Sequence, residues 1–386
     1  MGPIQLVVLS GLAFISLGLP DGLLGVAWPS IRAYFGVELD AIGGLLAATT
    51  TGYVASSFTS GRLLRSLNVG SVLAISCALT AGGLLGYAAA PRWAAMVALG
   101  AVLGLGSGAV DSSLNTYAAT QYGPRALNWL HACYGIGAAI GPLIMTAVLG
   151  KALPWQRGYS IVGVAQLALA ACFAVTFRWW DRTTGSGAAP NNQGSATIAD
   201  TLRLPGATLG IAAFFVYAGV EGSMGVWTYT LLTEGRGVAA AEAGGVVSLF
   251  WGSLTGGRLL AAVGGARMLP GRMLSLALWG VMLGTVLVKM DLDAAVTYAG
   301  VVLAGCACGP IFPMLVATTP ARLGGAHAAN AVGFQIAAAS LGLAVLPGAI
   351  GVAAEAFGIE LIATLFLGLA VLLTIAYKLL DHVAPA

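Results

Sequence analysis

Three carboxylates stand where a carboxylate is costly: Asp21, Asp111 and Glu221 each lie inside a long apolar run. An acid at the centre of a membrane helix costs about 2.5–3.5 kcal/mol on insertion scales, so each must face protein or a water-filled cavity. A carboxylate held there can load a proton on one side of a membrane and release it on the other. That chemistry is proton coupling, with Asp21 or Asp111 expected as the obligatory carrier. Asn115 follows Asp111 by four residues and shares its helix face, and His131 stands three residues beyond Asn128 on the next helix. Counted from the turn at residues 121–125 at 1.5 Å per residue, Asp111 and His131 differ in height by roughly 3–5 Å. An Asp111–His131 contact is therefore expected, with the imidazole sharing the proton; the same polar groups would serve equally as hydrogen bonds between helices.

Aromatic and amide side chains fill out a candidate solute site. Trp28 lies two helical turns beyond Asp21, and Trp227 with Tyr229 follows Glu221 at similar distance. They read either as stacking platforms for a sugar, which shows both C–H faces and a ring of hydroxyls, or as an interfacial belt, which their place toward the outer ends of the spans favours. Phe312 is expected as a cavity wall, and Asn330 and Gln335 are the main amides of their span. The proton-coupling set is thus Asp21, Asp111, Glu221 and His131, and the solute-binding set is Asp21, Trp28, Asn115, Asn128, His131, Glu221, Trp227, Phe312, Asn330 and Gln335.

The elements that must position these residues follow from composition. Of 386 residues, 58% are hydrophobic and only 8% charged, with a mean hydropathy of +0.91, whereas soluble domains are about a quarter charged. A soluble globular protein is excluded, and so are disorder, collagen and coiled coil. A formal charge of +3 leaves no basic stripe for nucleic acid. The five cysteines, Cys77, Cys133, Cys172, Cys306 and Cys308, all sit in apolar segments and read as small core residues rather than a disulfide or zinc framework. The N-terminal run lacks a positive leader and a small-residue cleavage site, so it reads as a retained first helix.

Apolar stretches long enough to cross a bilayer recur twelve times, near 4–31, 41–63, 70–90, 93–120, 125–150, 157–179, 205–232, 240–262, 270–289, 295–319, 326–353 and 357–380. Residues 1–180 and 205–386 form two six-span bundles, and the Gly/Ser/Asn-rich stretch 181–204 is a linker. With both termini and this linker on one side, eleven basic residues fall there and six opposite, so that side is cytoplasmic. Of 31 charged residues, 28 read as loop or helix-end residues. In the tenth span, Gly309-Pro310 should break or bend the helix.

The halves repeat. Asp21-Gly-Leu-Leu-Gly-Val matches Glu221-Gly-Ser-Met-Gly-Val at an offset of 200, Gly61-Arg-Leu-Leu matches Gly257-Arg-Leu-Leu at 196, and Asn128 is echoed by Asn330. Three matches in one order point to parallel six-helix repeats. Six plus six spans, a central linker and the Gly-Arg elbow Ser60–Gly70 make the chain resemble the major facilitator superfamily over essentially its whole length. The elbow lacks the acid that the superfamily's loop motif usually carries. Residues 18–29, Leu127-Asn-Trp-Leu-His131 and Gly135–Pro142 are most similar to the fucose-permease-like branch. That resemblance implies an all-α integral membrane protein of two pseudo-symmetric bundles, with acids in spans one and four used for proton coupling and sugar recognition.

The expected function is a proton-coupled secondary transporter of a small polar solute such as a sugar. The alternative is a proton-driven exporter of amphipathic drugs, for which Gly137-Ala-Ala-Ile-Gly141-Pro142 is a partial motif. An enzyme is not expected: there is no Gly-x-Gly-Asp at Gly108–Asp111 and no phosphate-cradling loop. Nor is a cofactor, H⁺ being the coupling ion and Na⁺ its substitute. The partners are a small-molecule solute and the lipid bilayer, and the protein is expected to work as a monomer in the inner (plasma) membrane. Green fluorescent protein fused after Ala386 should fluoresce, while alkaline phosphatase fused there should be inactive; the opposite pair of results would invert the orientation.

Overall fold

The computed structural model describes residues 3–121, 124–180, 196–264 and 268–384. These residues are helical nearly throughout: α1 (Pro3–Phe35), α2 (Ile42–Ser66), α3 (Val69–Ala89), α4 (Trp93–Gln121), α5 (Pro124–Gly150), α6 (Gln156–Thr176), α7 (Ile198–Leu202), α8 (Pro205–Thr230), α9 (Ala240–Gly264), α10 (Pro270–Met290), α11 (Ala294–Cys308), α12 (Ile311–Leu323), α13 (Gly325–Phe357) and α14 (Leu361–Val383). Eleven helical stretches are long and apolar enough to cross a membrane. The remaining full-length helix, α2, carries Thr49, Thr50, Thr51, Ser56, Ser57, Thr59 and Ser60 along one stretch. A helix so polar suits a position turned toward protein rather than lipid.

The tenth span is broken where expected. Helix α11 stops at Cys308 and α12 resumes at Ile311, because Pro310 has no N–H to donate and its ring crowds the preceding turn. The elbows differ from expectation. Gly61-Arg62 lies within α2, which continues to Ser66, and Gly257-Arg258 lies within α9, six residues before its last residue at Gly264. The loop after α2 is only Leu67-Asn68, where Asn68 Oδ1 accepts from the Ser71 N–H at 2.8 Å and starts α3.

Contacts divide the chain into two compact units, Met1–Ala188 with Ala239–Ser248, and Ala189–Val238 with Leu249–Ala386. In the first, α1 packs on α5, α2 on α4, and α3 on both α4 and α6. In the second, α8 packs on α13, and α10 on both α11 and α14, which repeats the α1–α5, α3–α4 and α3–α6 pairings on the equivalent helices. The repeat seen in sequence is thus a repeat of packing.

Small residues set these pairings. A Cβ on Gly104 would overlap the Thr49 carbonyl, and one on Gly108 the Tyr53 carbonyl, so α2 and α4 touch backbone to backbone. On α5, Gly137 faces the Ile15 carbonyl of α1 and Gly141 faces Leu19. The GxxxGP sequence considered for drug export is therefore accounted for by small-residue packing. Large apolar side chains such as Val175, Val263 and Phe357 stay more than three-quarters exposed, at 77%, 82% and 80%, as a lipid-facing surface requires.

Oppositely charged residues of loops and helix ends meet in two clusters of the second unit. Arg236, nearly buried, reaches Asp291 at 3.1 Å and Glu360 at 3.0 Å, while Arg322 bonds Asp381 at 3.1 Å and the Ala384 carbonyl at 2.6 Å. Each cluster joins residues that the span count assigns to one membrane side.

Replacing Gly104 by Leu should cost at least the 1–3 kcal/mol typical of overpacking. Thermal unfolding in detergent checks it against Gly82→Leu, where the Cβ meets nothing within 4 Å and little loss is expected.

Candidate functional site

The close approach of α2 and α4 carries Tyr53 to Asp111. Tyr53 Oη donates to Asp111 Oδ2 at 2.6 Å, and Asn115 Nδ2, one turn along α4, donates to Oδ1 at 3.0 Å. The α1–α5 crossing does the same for Asp21, whose Oδ2 accepts from Tyr134 Oη at 2.6 Å. Gly18 makes this possible: a methyl there would overlap the Tyr134 carbonyl. His131 lies within electrostatic reach of Asp111, and Asp21 within reach of Tyr53. The imidazole stacks edge-on against Phe14 of α1, ring centroids 5.7 Å apart. Asp21 and His131 are exposed, while Tyr53, Asp111, Asn115 and Tyr134 are half-buried. The first unit thus carries one accessible polar face with two carboxylates, two phenols, an amide and an imidazole.

Glu221 is placed differently. It is 9% exposed on α8, and Tyr217, four residues earlier on the same face, donates both to Glu221 Oε2 and, at 3.1 Å, to the Cys308 carbonyl at the end of α11. Arg258 reaches Glu221 Oε1 at 3.4 Å. Arg258 is therefore a charge inside a helix and not a loop residue, which corrects the partition of charges by sequence. Backbone packing delivers it there: a Cβ on Gly257 would overlap the Cys306 carbonyl, and one on Gly309 would sit 2.6 Å from the Arg258 nitrogen. A carboxylate compensated by a guanidinium and a phenol is a poor carrier of a transient proton. Glu221 thus differs from Asp21 and Asp111 in having a guanidinium beside it.

Several proposed solute contacts are engaged in packing. Trp28 and Trp227 are both fully buried, so neither belongs to an interfacial belt. Trp28 packs on Trp93 at 5.6 Å, and Trp227 Nε1 donates to the Pro347 carbonyl at 2.9 Å. Asn330 donates to the Ala196 carbonyl at 3.0 Å and to Thr201 Oγ1 at 3.3 Å, holding the short helix α7. Gln335 is buried and accepts from Thr319 Oγ1 at 3.0 Å. Phe312 is half-buried, edge-on to Phe214 at 5.2 Å and beside Tyr217. The Asn128 side chain lies outside the described residues. Of the thiols, Cys77, Cys133 and Cys308 are buried as expected, but Cys172 is exposed on the outer surface of α6.

Sequence reading missed Tyr53, Tyr134, Tyr217 and Arg258. Tyr217 was detectable, since i and i+4 share a face with Glu221. Tyr53 stands in the most hydroxyl-rich span, which is a weaker signal. Tyr134 and Arg258 depend on which helices cross, and spacing along one helix carries no record of that.

Comparison with known proteins gives a consistent picture. The profile described as Major Facilitator Superfamily matches residues 10–290. The human protein named sodium-dependent glucose transporter 1 is 22% identical over 380 residues, covering 88% of this chain and 72% of that protein. Among solved structures, the nucleoside transporter NupG superposes with a TM-score of 0.72 at 15% identity, covering 98% of this chain and 98% of that one. FucP in the outward conformation gives 0.60 at 16% identity, over 96% of this chain and 98% of that one.

Removing one member of a buried ion pair leaves a charge without its partner and typically costs 3–5 kcal/mol, whereas removing both costs far less. Glu221→Gln should therefore lower the unfolding temperature more than the double variant Glu221→Gln/Arg258→Gln. Thermal unfolding in detergent that ranks the double variant lower would show that the pair does not stabilise the unit.

Proposed function

This chain belongs to the major facilitator superfamily and is a multi-pass membrane transporter; on that premise we propose that it couples a proton to the movement of a small polar solute, a sugar or related polyol, by alternating access. One observation carries the reading. The first unit brings an exposed Asp21 and a half-buried Asp111 together with Tyr53, Asn115, His131 and Tyr134. Carboxylates and amides are the side chains that accept from and donate to a polyol's hydroxyls. A carboxylate that desolvates when the site closes also gains affinity for a proton.

In this reading Asp21 and Asp111 carry the coupling proton with His131 beside them, and Asn115 and His131 contribute solute contacts. Glu221 is paired with Arg258 instead. The similarity to proteins named for glucose and nucleoside transport agrees with a hydroxylated solute, and sodium in the name of the first makes Na⁺ the coupling ion to test against H⁺. We place the protein in the plasma membrane with both termini in the cytoplasm, working as a monomer. A proton-driven exporter of amphipathic drugs remains the second reading, although Gly137 and Gly141 also serve the α1–α5 crossing.

Reconstituted in proteoliposomes, the wild type should accumulate labelled sugar when the outside is made acidic, and Asp21→Asn or Asp111→Asn should abolish gradient-driven accumulation. Accumulation surviving in both variants would sink the coupling assignment. Sodium supporting uptake without a pH gradient would reassign the ion.

A further inference from the structure

The hydrogen bonding around Asp111 contains more than a proton site. Its ionised carboxylate accepts twice, from Asn115 Nδ2 at Oδ1 and from Tyr53 Oη at Oδ2. A carboxylate only accepts, whereas a phenol carries one hydrogen and can also accept. When a proton binds Oδ2, the acid has a hydrogen of its own, and the Asp111–Tyr53 bond survives only by reversing direction. The acid then donates to Tyr53 Oη, and the phenol hydrogen must turn about its C–O bond to another acceptor.

Resting on the function proposed above, we propose that Tyr53 is the residue that converts protonation of Asp111 into affinity for solute. One proton enters, none leaves the pair, and no covalent bond of the phenol breaks. The freed phenol hydrogen is offered to a solute oxygen, a sugar hydroxyl in the first instance. In the ionised state the same hydrogen is engaged by Asp111 and unavailable. A donor left without an acceptor in a half-buried site is costly, so the protonated form favours the loaded form. By linkage, solute raises proton affinity by the same factor that the proton raises solute affinity. Tyr53 is thus a specificity and positioning residue that makes binding of each ligand depend on the other.

Its placement supports this role. Tyr53 is fixed at the α2–α4 crossing, where Gly104 and Gly108 meet its backbone and Ser56 Oγ donates to its carbonyl at 3.1 Å. The phenol therefore turns its hydrogen without its ring having to leave. Around the pair, α1 presents Asp21, α5 presents His131 and Tyr134, α6 brings Tyr159 near Asp21, and α3 places Cys77 in the same buried cluster as Val110 and Leu114. Tyr134 bonds Asp21 at 2.6 Å in the same way, while Tyr53 is the phenol that bonds Asp111.

The test measures binding of D-glucose, mannitol and uridine to the full-length protein in lipid nanodiscs at acidic and at alkaline pH. The wild type should bind at least one probe more tightly at acidic pH, by roughly 5–150-fold as for typical coupled sites. Tyr53→Phe should keep the alkaline affinity and lose the acidic gain, so that its ratio falls to about one-to-one. Asp111→Asn, whose amide donates to Tyr53 Oη as the protonated acid does, should hold the acidic affinity at both pH values. The double variant should behave as Tyr53→Phe. A Tyr53→Phe protein that keeps the wild-type ratio, or loses affinity equally at both pH values, overturns the inference. A wild type whose binding of every probe is indifferent to pH sinks the proton-coupled reading itself, and the inference with it.

Discussion

A carboxylate set among apolar helices cannot rely on bulk water, so its hydrogen-bond donors have to arrive from the helices that cross its own. Much of the local arrangement here answers that requirement. Asp111 and Asp21 are reached by phenols from α2 and α5, and Glu221 by a phenol on its own helix and a guanidinium from α9. The phenols from α2 and α5 reach their acids where glycines bring two backbones close enough for a side chain of fixed length to span the gap.

The repeat makes the contrast between the halves informative. Asp21 and Glu221 are equivalent in sequence, and their helices pack on equivalent partners. The first remains exposed with a neutral phenol, while the second is buried against Arg258. The two halves are similar scaffolds, and in one of them the acid has a half-buried guanidinium beside it. An ion pair of this kind is weak evidence for net stability but strong evidence for fixed geometry, and here it fastens α8 and α9 beside the break between α11 and α12.

Much of this fold was legible without coordinates. Span count, the break at Gly309-Pro310 and the family all follow from the length of apolar runs and from proline's missing donor, which are properties of single segments. The acids of the candidate site were also visible, because a charge in an apolar run is conspicuous. Their partners were not. Trp28 and Trp227 lie near span ends by count, yet they are buried, since depth along the membrane says nothing about which way a helix face is turned. Asn330 was read as a solute amide because polarity in a span suggested function. It instead bonds the Ala196 carbonyl and Thr201 at the five-residue helix α7.

The crossings without side chains have a consequence for how such a protein drifts. A leucine facing lipid contacts a fluid with no shape to match, so one apolar residue there serves about as well as another. At Gly104 or Gly257 the facing surface is a carbonyl, and nothing larger than hydrogen fits. The information that specifies the helix crossings is therefore stored at a few positions where there is nothing to see. Structures that superpose over nearly the whole chain at 14–16% identity are what such an allocation would produce.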